Sequence, residues 1–423
     1  MKKGLLTMLP MLLVTVLAAQ FQEIAYGPGY TQQVFYRFSD GQAINVNNTA
    51  WDLAFTAIGF QDAGIHLNEA AGTQGTELEL YLVPTDDFDA IVGPEELGER
   101  LYNDEQSWSY GAFNAARQPG NPFDFGWGQY DPGTNRVIGS RIFGLKLRDG
   151  SFKKLEITSL AGTTYRFRHA NLDGSAEVQL ELDKSSFPNS GLVFFSLASG
   201  SVVSAVPGTQ DWDLLFTRYV TTLNDGTGNM LNYLVTGTLS GLGVEVAQAD
   251  GVDPATVDHT LYADDYTAEL DPIGYDWKEF SLSTLAWSVP QDRAYFVKTA
   301  QDRIWKLVFY DFEGASTGTV VFEKTDLGVV SSVADASGVL RDFTVFPNPV
   351  VAEATIGLTL EQAGRGRLSL RNALGQEVWS EQAQFPAGFQ VRQLPDLKLP
   401  TGTYFLSLQL GSTQATLPLI WAR

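Results

Sequence analysis

The chain of 423 residues reads as all-β, with two tandem β modules followed by a smaller C-terminal β unit. Three observations predict this. Aromatic residues make up 12% of the chain and glycines number 41, which pairs pleated-sheet formers with turn formers. Helical periodicity is scarce, and Pro94 to Leu101 is the best short candidate. A Trp-Asp motif near residue 51 recurs near residue 212 in similar surroundings, so one pattern is written twice.

In chain order, Met1-Lys2-Lys3 is a short basic region, Leu5 to Leu17 is mostly apolar, and the small residues Ala18 and Ala19 precede Gln20. That is the layout of a secretory signal peptide over residues 1–20, and it is short of the ~20 apolar residues a membrane span needs. Two modules follow, over 30–185 and 190–326. Trp51-Asp52-Leu53-Ala54-Phe55-Thr56 recurs as Trp212-Asp213-Leu214-Leu215-Phe216-Thr217, an offset of 161. Leu101-Tyr102 recurs as Leu261-Tyr262, Phe125-Gly126-Trp127 as Tyr275-Asp276-Trp277, and Lys146, Lys154 and Gly162 as Lys298, Lys306 and Gly314. Strand-like runs flank Gln301-Asp302-Arg303, and Arg148-Asp149-Gly150 holds the same place in the first module, so a hairpin is expected at each. The small polar stretch 327–342 reads as a linker. Residues 343–423 form the third unit, with short runs such as Ala354 to Leu358, Arg367 to Arg371 and Thr403 to Leu408 around a turn at Asn372 to Gly375.

Charge and composition exclude several functions. The net charge is −21, and the C-terminal stretch accounts for none of that acidity: the seven basic and six acidic residues from Arg341 to Arg423, with the two leader lysines set aside, leave 19 basic and 43 acidic ones in the mature modules. Such a surface repels phosphate backbones, so nucleic acid is not an expected partner. With Cys 0, disulfides, thiolate metal sites and cysteine nucleophiles are all excluded. There is no G-x-S-x-G, H-E-x-x-H, P-loop or dinucleotide fingerprint, and the expectation is a protein that is not an enzyme. Asp86-Asp87-Phe88-Asp89, Asp264-Asp265 and Asn224 to Asn229 offer oxygen donors without EF-hand spacing, and read as turns. Trp108, Tyr110 and Trp127 beside Gly-rich loops could stack on sugar rings, with packing as the ordinary alternative.

The third unit resembles the C-terminal sorting domain of type IX secretion cargo. The carrying residues are Phe346-Pro347-Asn348-Pro349, Leu374-Gly375-Gln376-Glu377-Val378 and Leu399-Pro400-Thr401-Gly402-Thr403-Tyr404-Phe405-Leu406. The resemblance implies an immunoglobulin-like β-sandwich, engagement of the type IX secretion machinery, and export to the cell surface or release. The two modules look like the HmuY family of secreted all-β proteins. In the second module the resemblance rests on Asp211 to Tyr219, Ile273-Gly274-Tyr275-Asp276-Trp277, Tyr295 to Thr299 and Trp305-Lys306-Leu307. It implies capture of haem or another small ligand, with an iron ligand just after W-x-x-F-S. Leu282 and Pro132 stand at that place in the two modules, and neither side chain coordinates iron. His66 and Met230, at similar places after the two Trp-Asp strands, are then the candidate haem ligands. The expected function is an exported binding protein. The alternative is a structural or adhesive surface protein that binds glycan or cell surface without a cofactor. A carbohydrate-active enzyme is a third reading.

Overall fold

The computed structural model describes residues 19–57, 62–70, 77–188, 190–329, 340–346, 348–350, 354–360, 362–373, 375–395, 397–411 and 413–422. Most of the expected signal peptide lies outside them. The chain divides into two compact units, 1–330 and 331–423.

All described strand pairings in the first unit are antiparallel, and its sheets come in matching pairs. One large sheet runs Val178–Asp183, Thr164–Asn171, Phe152–Ala161, Ile142–Lys146, Glu79–Leu82, with Arg100–Leu101 beyond; the other runs Gln20–Ala25, Thr319–Val329, Arg303–Phe312, Arg293–Lys298, Glu245–Asp250. One small sheet runs Ser201–Val202, Leu192–Ser196, Leu53–Thr56, Ile65–Leu67; the other runs Ala43–Asn47, Gln32–Tyr36, Leu214–Asn224, Met230–Ser240. A two-stranded hairpin accompanies each half, Gly128–Asp131 with Arg136–Gly139 and Glu279–Ser281 with Ala286–Ser288. Both expected hairpins are present, joining Ile142–Lys146 to Phe152–Ala161 and Arg293–Lys298 to Arg303–Phe312.

The sheets cross the expected boundary between 30–185 and 190–326, which corrects the reading of two self-contained stretches. Gln32–Tyr36 pairs with Leu214–Asn224, while Leu192–Ser196 pairs with Leu53–Thr56. Gln20–Ala25 closes onto Thr319–Val329, while Val178–Asp183 closes onto Thr164–Asn171. The half built on residues 212–329 therefore takes its leading strands from residues 20–47, and the half built on residues 51–183 takes Leu192–Ser196 from beyond residue 190. The reason is connectivity: only Lys184 to Gly191 separate Val178–Asp183 from Leu192–Ser196, and consecutive elements joined so tightly stay neighbours. The Trp-Asp motifs fasten the exchange. Asp52 donates its N–H to Phe195 O at 2.8 Å, and its Oδ2 accepts Leu197 N–H at 2.7 Å; Asp213 donates to Tyr36 O at 2.7 Å and accepts Phe38 N–H at 2.7 Å.

Packing follows from this arrangement. The small sheets are buried on both faces, which is why Val34-Phe35-Tyr36 and Val193-Phe194-Phe195 are unbroken apolar runs rather than alternating ones. Phe55, Phe143, Tyr165 and Phe195 fill one outer core, and Tyr36, Phe216, Trp277 and Phe322 fill the other. Between the small sheets Phe35, Trp51, Phe194, Trp212 and Leu215 form a third core, with Trp51 and Phe194 ring centres 4.9 Å apart. Equivalent lysines do equivalent work. Lys146 pairs with Glu79 at 2.9 Å and Lys298 with Glu245 at 3.0 Å. Lys154 and Lys306, both buried, donate to the carbonyls of Ala90 and Pro254 in the loops covering each large sheet.

Two local expectations are corrected. Pro94 to Leu101 is not a helix: a single 3-10 turn, Pro94–Glu96, gives way to the strand Arg100–Leu101, because Gly98 N–H and Glu99 O bond to Leu82 and draw the chain into the sheet. The linker 327–342 is strand at both ends, in Thr319–Val329 and Leu340–Phe346; residues 330–339 lie outside the described ones.

The second unit is a two-sheet sandwich. Leu340–Phe346, Ala354–Leu360 and Gly388–Leu394 form one sheet; Glu377–Phe385, Gly364–Asn372, Gly402–Leu410 and Thr413–Trp421 form the other. Their inner faces meet over Ile356, Leu358, Leu370, Phe385, Leu406 and Trp421.

Candidate functional site

The short strand Ile65–Leu67 ends one small sheet, and its outer edge is finished by side chains. Asn114 Oδ1 accepts Ile65 N–H at 3.0 Å, Asn103 Oδ1 accepts Leu67 N–H at 2.9 Å, and Asn103 Nδ2 donates to Leu67 O at 2.8 Å. The loop that carries these groups lies hard against the strand: a Cβ on Gly64 would sit 2.7 Å from Ser109 O. The same loop brings Trp108 across to the other half, where its Nε1 donates to Ser240 O at 2.9 Å.

Between this edge and Leu214–Asn224 runs a narrow cleft with about 50 Å³ of free volume, lined by His66, Glu69, Trp108, Thr217, Arg218 and Val220 among others. Along Leu214–Asn224, Gln32–Tyr36 reaches only Leu214 to Phe216, and Glu69 serves the ladder beyond. Its Oε2 accepts Val220 N–H at 3.1 Å and its Oε1 accepts Asn103 N–H at 2.9 Å. Burial pushes the Glu69 carboxyl up to about 7 despite these bonds. Burial also pushes His66 down to about 4. The imidazole is therefore neutral, and since a carbonyl only accepts, Nε2 carries the proton it donates to Trp108 O at 2.7 Å. Glu69 and its carboxylate bridge escaped the sequence reading. No motif marks it, because its partners are backbone groups from distant segments.

The structure does not bring His66 and Met230 together, which corrects their pairing as haem ligands. His66 is 3% exposed with its Nε2 already bonded, whereas Met230 is 60% exposed at the tip of a long hairpin, opposite Asn224. Val220, at the cleft, pairs with Leu234, so Met230 lies four residues farther along, about 13 Å at a strand's rise. The cleft itself holds about 50 Å³, the room of a few waters. The residues that line the cleft do not fit haem. Leu282 projects from the hairpin Glu279–Ser281/Ala286–Ser288, 84% exposed.

The remaining candidates have structural roles. Asp225 accepts the N–H groups of Thr227 and Asn229 within its turn, and the Thr227 hydroxyl first among its partners holds its carboxyl down at about 2. Among the described residues no group of three His, Cys, Asp or Glu could hold a metal ion. Trp127 is fully buried and donates to Ala63 O at 2.8 Å, and Arg117 covers the Tyr110 ring at 3.8 Å. No described helix is long and apolar enough to cross a membrane.

In the second unit the sorting signature has a mechanical reading. Asn348 Oδ1 accepts Ile420 N–H at 2.8 Å and its Nδ2 donates to Pro418 O at 3.1 Å, which ties the segment Asn348-Pro349-Val350 to Thr413–Trp421. Gly375 supplies a φ of 79° in the turn after Asn372. Gly402 opens the strand Gly402–Leu410, and the Tyr404 hydroxyl donates to Pro400 O at 3.0 Å, pinning the entry to that strand. Phe346 ends Leu340–Phe346; Pro347 lies outside the described residues.

Comparison with known proteins bears on this unit. No curated protein matches the chain in sequence. Among solved structures, the chain is similar to apo PinO from Porphyromonas gingivitis, at 10% identity over 74% of this chain and 98% of that one, with a TM-score of 0.23. It is also similar to dimeric latent PorU from Porphyromonas gingivalis, at 14% identity over 68% of this chain and 32% of that one, with a TM-score of 0.20. At such scores these likenesses bear on neither ligand nor activity. Residues 344–421 match the family described as the secretion system C-terminal sorting domain. The chain carries a type IX sorting domain and is exported by that route, to the cell surface or into the medium.

Proposed function

We propose that the exported chain is a non-catalytic binding protein that works by surface contact, through the outside of a duplicated and filled β unit. The observation that carries this reading is the interior. The three largest cores of the first unit are closed by aromatic side chains, and the cleft between the halves has about 50 Å³ of free volume. A capture protein needs a slot that admits most of its ligand. This unit instead presents hairpins, sheet edges and, beside Pro84, Asp86 and Arg141, an open depression of about 440 Å³ whose lining has no histidine, methionine or aromatic side chain. The matched strand orders, the reciprocal Asp52 and Asp213 bonds and the equivalent lysines support duplication of one unit, and the HmuY-like motifs fall within that repeated pattern. The reading keeps a kinship to that family and drops haem.

Titrating purified exported protein with haem tests the first half of the proposal. The free-haem spectrum is expected throughout, and a sharp Soret band would overturn it. Saturable attachment to cells or to a glycan array is expected, and no attachment to either would reject the adhesive role. Release of reducing sugar from a polysaccharide panel would reject the non-catalytic one.

A further inference from the structure

The two small sheets end differently. On Ile65–Leu67 the edge is closed by Asn103 and Asn114. The matching edge of the other half is Met230–Ser240, an eleven-residue strand that pairs along its whole length with Leu214–Asn224 on one side only. The N–H groups of Ser240 and Thr238 point away from that partner and donate to Leu270 O and Gly274 O, and Thr236 O accepts Lys278 Nζ. By the two-residue period of a strand, the outward groups next in line belong to Leu234, Asn232 and Met230. Among the described residues nothing bonds to them, and Met230, Leu231 and Tyr233 are 60%, 54% and 61% exposed.

An open edge such as Met230 to Leu234 is ordinarily blunted by lysine, proline or a bulge. Here the register is unbroken, and from Tyr219 to Val244 the single charged residue is Asp225, in the turn. We propose that this edge pairs with the same edge of a second copy of the chain, antiparallel about a twofold axis at Asn232. Only an extended strand satisfies outward N–H and C=O groups at every second residue. The choice of a second copy rests on self-complementarity and charge. Twofold pairing at Asn232 sets Met230 against Leu234, Leu231 against Tyr233, and Asn232 against itself, so each apolar side chain meets an apolar one. Like charges facing each other across strands destabilise pairing, and this strand has none. Elsewhere 43 acidic residues against 19 basic ones in the modules repel a second copy.

Sedimentation velocity of the exported protein tests this, and a concentration-dependent monomer–dimer equilibrium is expected. Asn232→Pro removes an outward donor and spares the backbone ladder to Leu214–Asn224, losing there only the exposed side-chain bond from Thr222, and Tyr233→Lys places like charges at the pairing site. Each is expected to weaken dimerisation at least tenfold with the far-ultraviolet circular dichroism unchanged. Because the chain contains Cys 0, Asn232→Cys is the only thiol in its variant; mild oxidation is expected to yield covalent dimer, and Leu282→Cys, on a different hairpin, is expected to yield far less. A monomer at all concentrations overturns the proposal. So does a dimer that survives both Asn232→Pro and Tyr233→Lys, or equal cross-linking of the two cysteine variants.

Discussion

Removing residues 20–48 leaves every residue of the second stretch in place, yet it should unfold the half of the first unit that residues 212–329 build. Ile24, Tyr26, Val34, Phe35, Tyr36, Phe38 and Val46 are each 5% exposed or less, and all pack against strands from that half or against the central core. At about 1.5–3 kcal/mol for each buried side chain, their loss removes about 10–20 kcal/mol. A domain's whole stability is about 5–15 kcal/mol. Asp213 also loses the Phe38 N–H, and Thr319–Val329 loses its edge partner. The assay compares residues 190–329 expressed alone with residues 51–206, which hold both Leu53–Thr56 and its exchanged partner Leu192–Ser196. Near-ultraviolet circular dichroism and urea unfolding are expected to show no cooperative fold in 190–329 and a cooperative transition in 51–206. A native-like spectrum with a sharp transition from 190–329 alone would refute strand exchange as the basis of the fold.

Three further outcomes are expected. Glu69 carries a folded-state pKa of about 7 against 4.5 for an ordinary glutamate, so the folded state binds its proton more tightly; the resulting stabilisation is full below pH 4.5 and is lost as pH rises through 7. Its size is about 3 kcal/mol, and Glu69→Gln should flatten that part of the stability–pH curve, measured by urea unfolding from pH 4.5 to 8. Asp213→Ala strands the buried Phe38 N–H and should cost about 1–3 kcal/mol in urea unfolding of the first unit; an unchanged midpoint would contradict the role given to the Trp-Asp motif. Asn348→Ala removes the bonds to Pro418 and Ile420, and should lower the melting temperature of the isolated second unit at a cost of about 1–2 kcal/mol.

Much of the β architecture is legible in the sequence. The Trp-Asp repeats, the hairpins at Arg148-Asp149-Gly150 and Gln301-Asp302-Arg303, and the turn at Asn372 to Gly375 follow from short-range patterns whose physics is local. The sorting signature was legible for the same reason: Asn348, Gly402 and Tyr404 act within one small sandwich and at fixed spacing. The site was not. His66 and Met230 stood at similar distances from their Trp-Asp strands, but one strand edge is covered by the Asn103–Asn114 loop and the other runs free into a hairpin arm, so one side chain is sealed and the other is exposed. Glu69 gave no signal, because its partners are the backbone N–H groups of Asn103 and Val220.

Periodicity, turn residues, charge and short motifs thus determined that the chain is all-β over its described residues, that a Trp-Asp motif recurs, and that an export label follows. Those features depend on neighbours within a few residues of one another. The tertiary structure alone decided which strand lies beside which. Val34-Phe35-Tyr36 and Val193-Phe194-Phe195 are chemically interchangeable as apolar strands, so composition cannot choose between pairing at home and pairing across. The short connection from Asp183 to Leu192 and the bonds to Asp52 and Asp213 make that choice, and with it they decide where the interior is filled and which edge is left open.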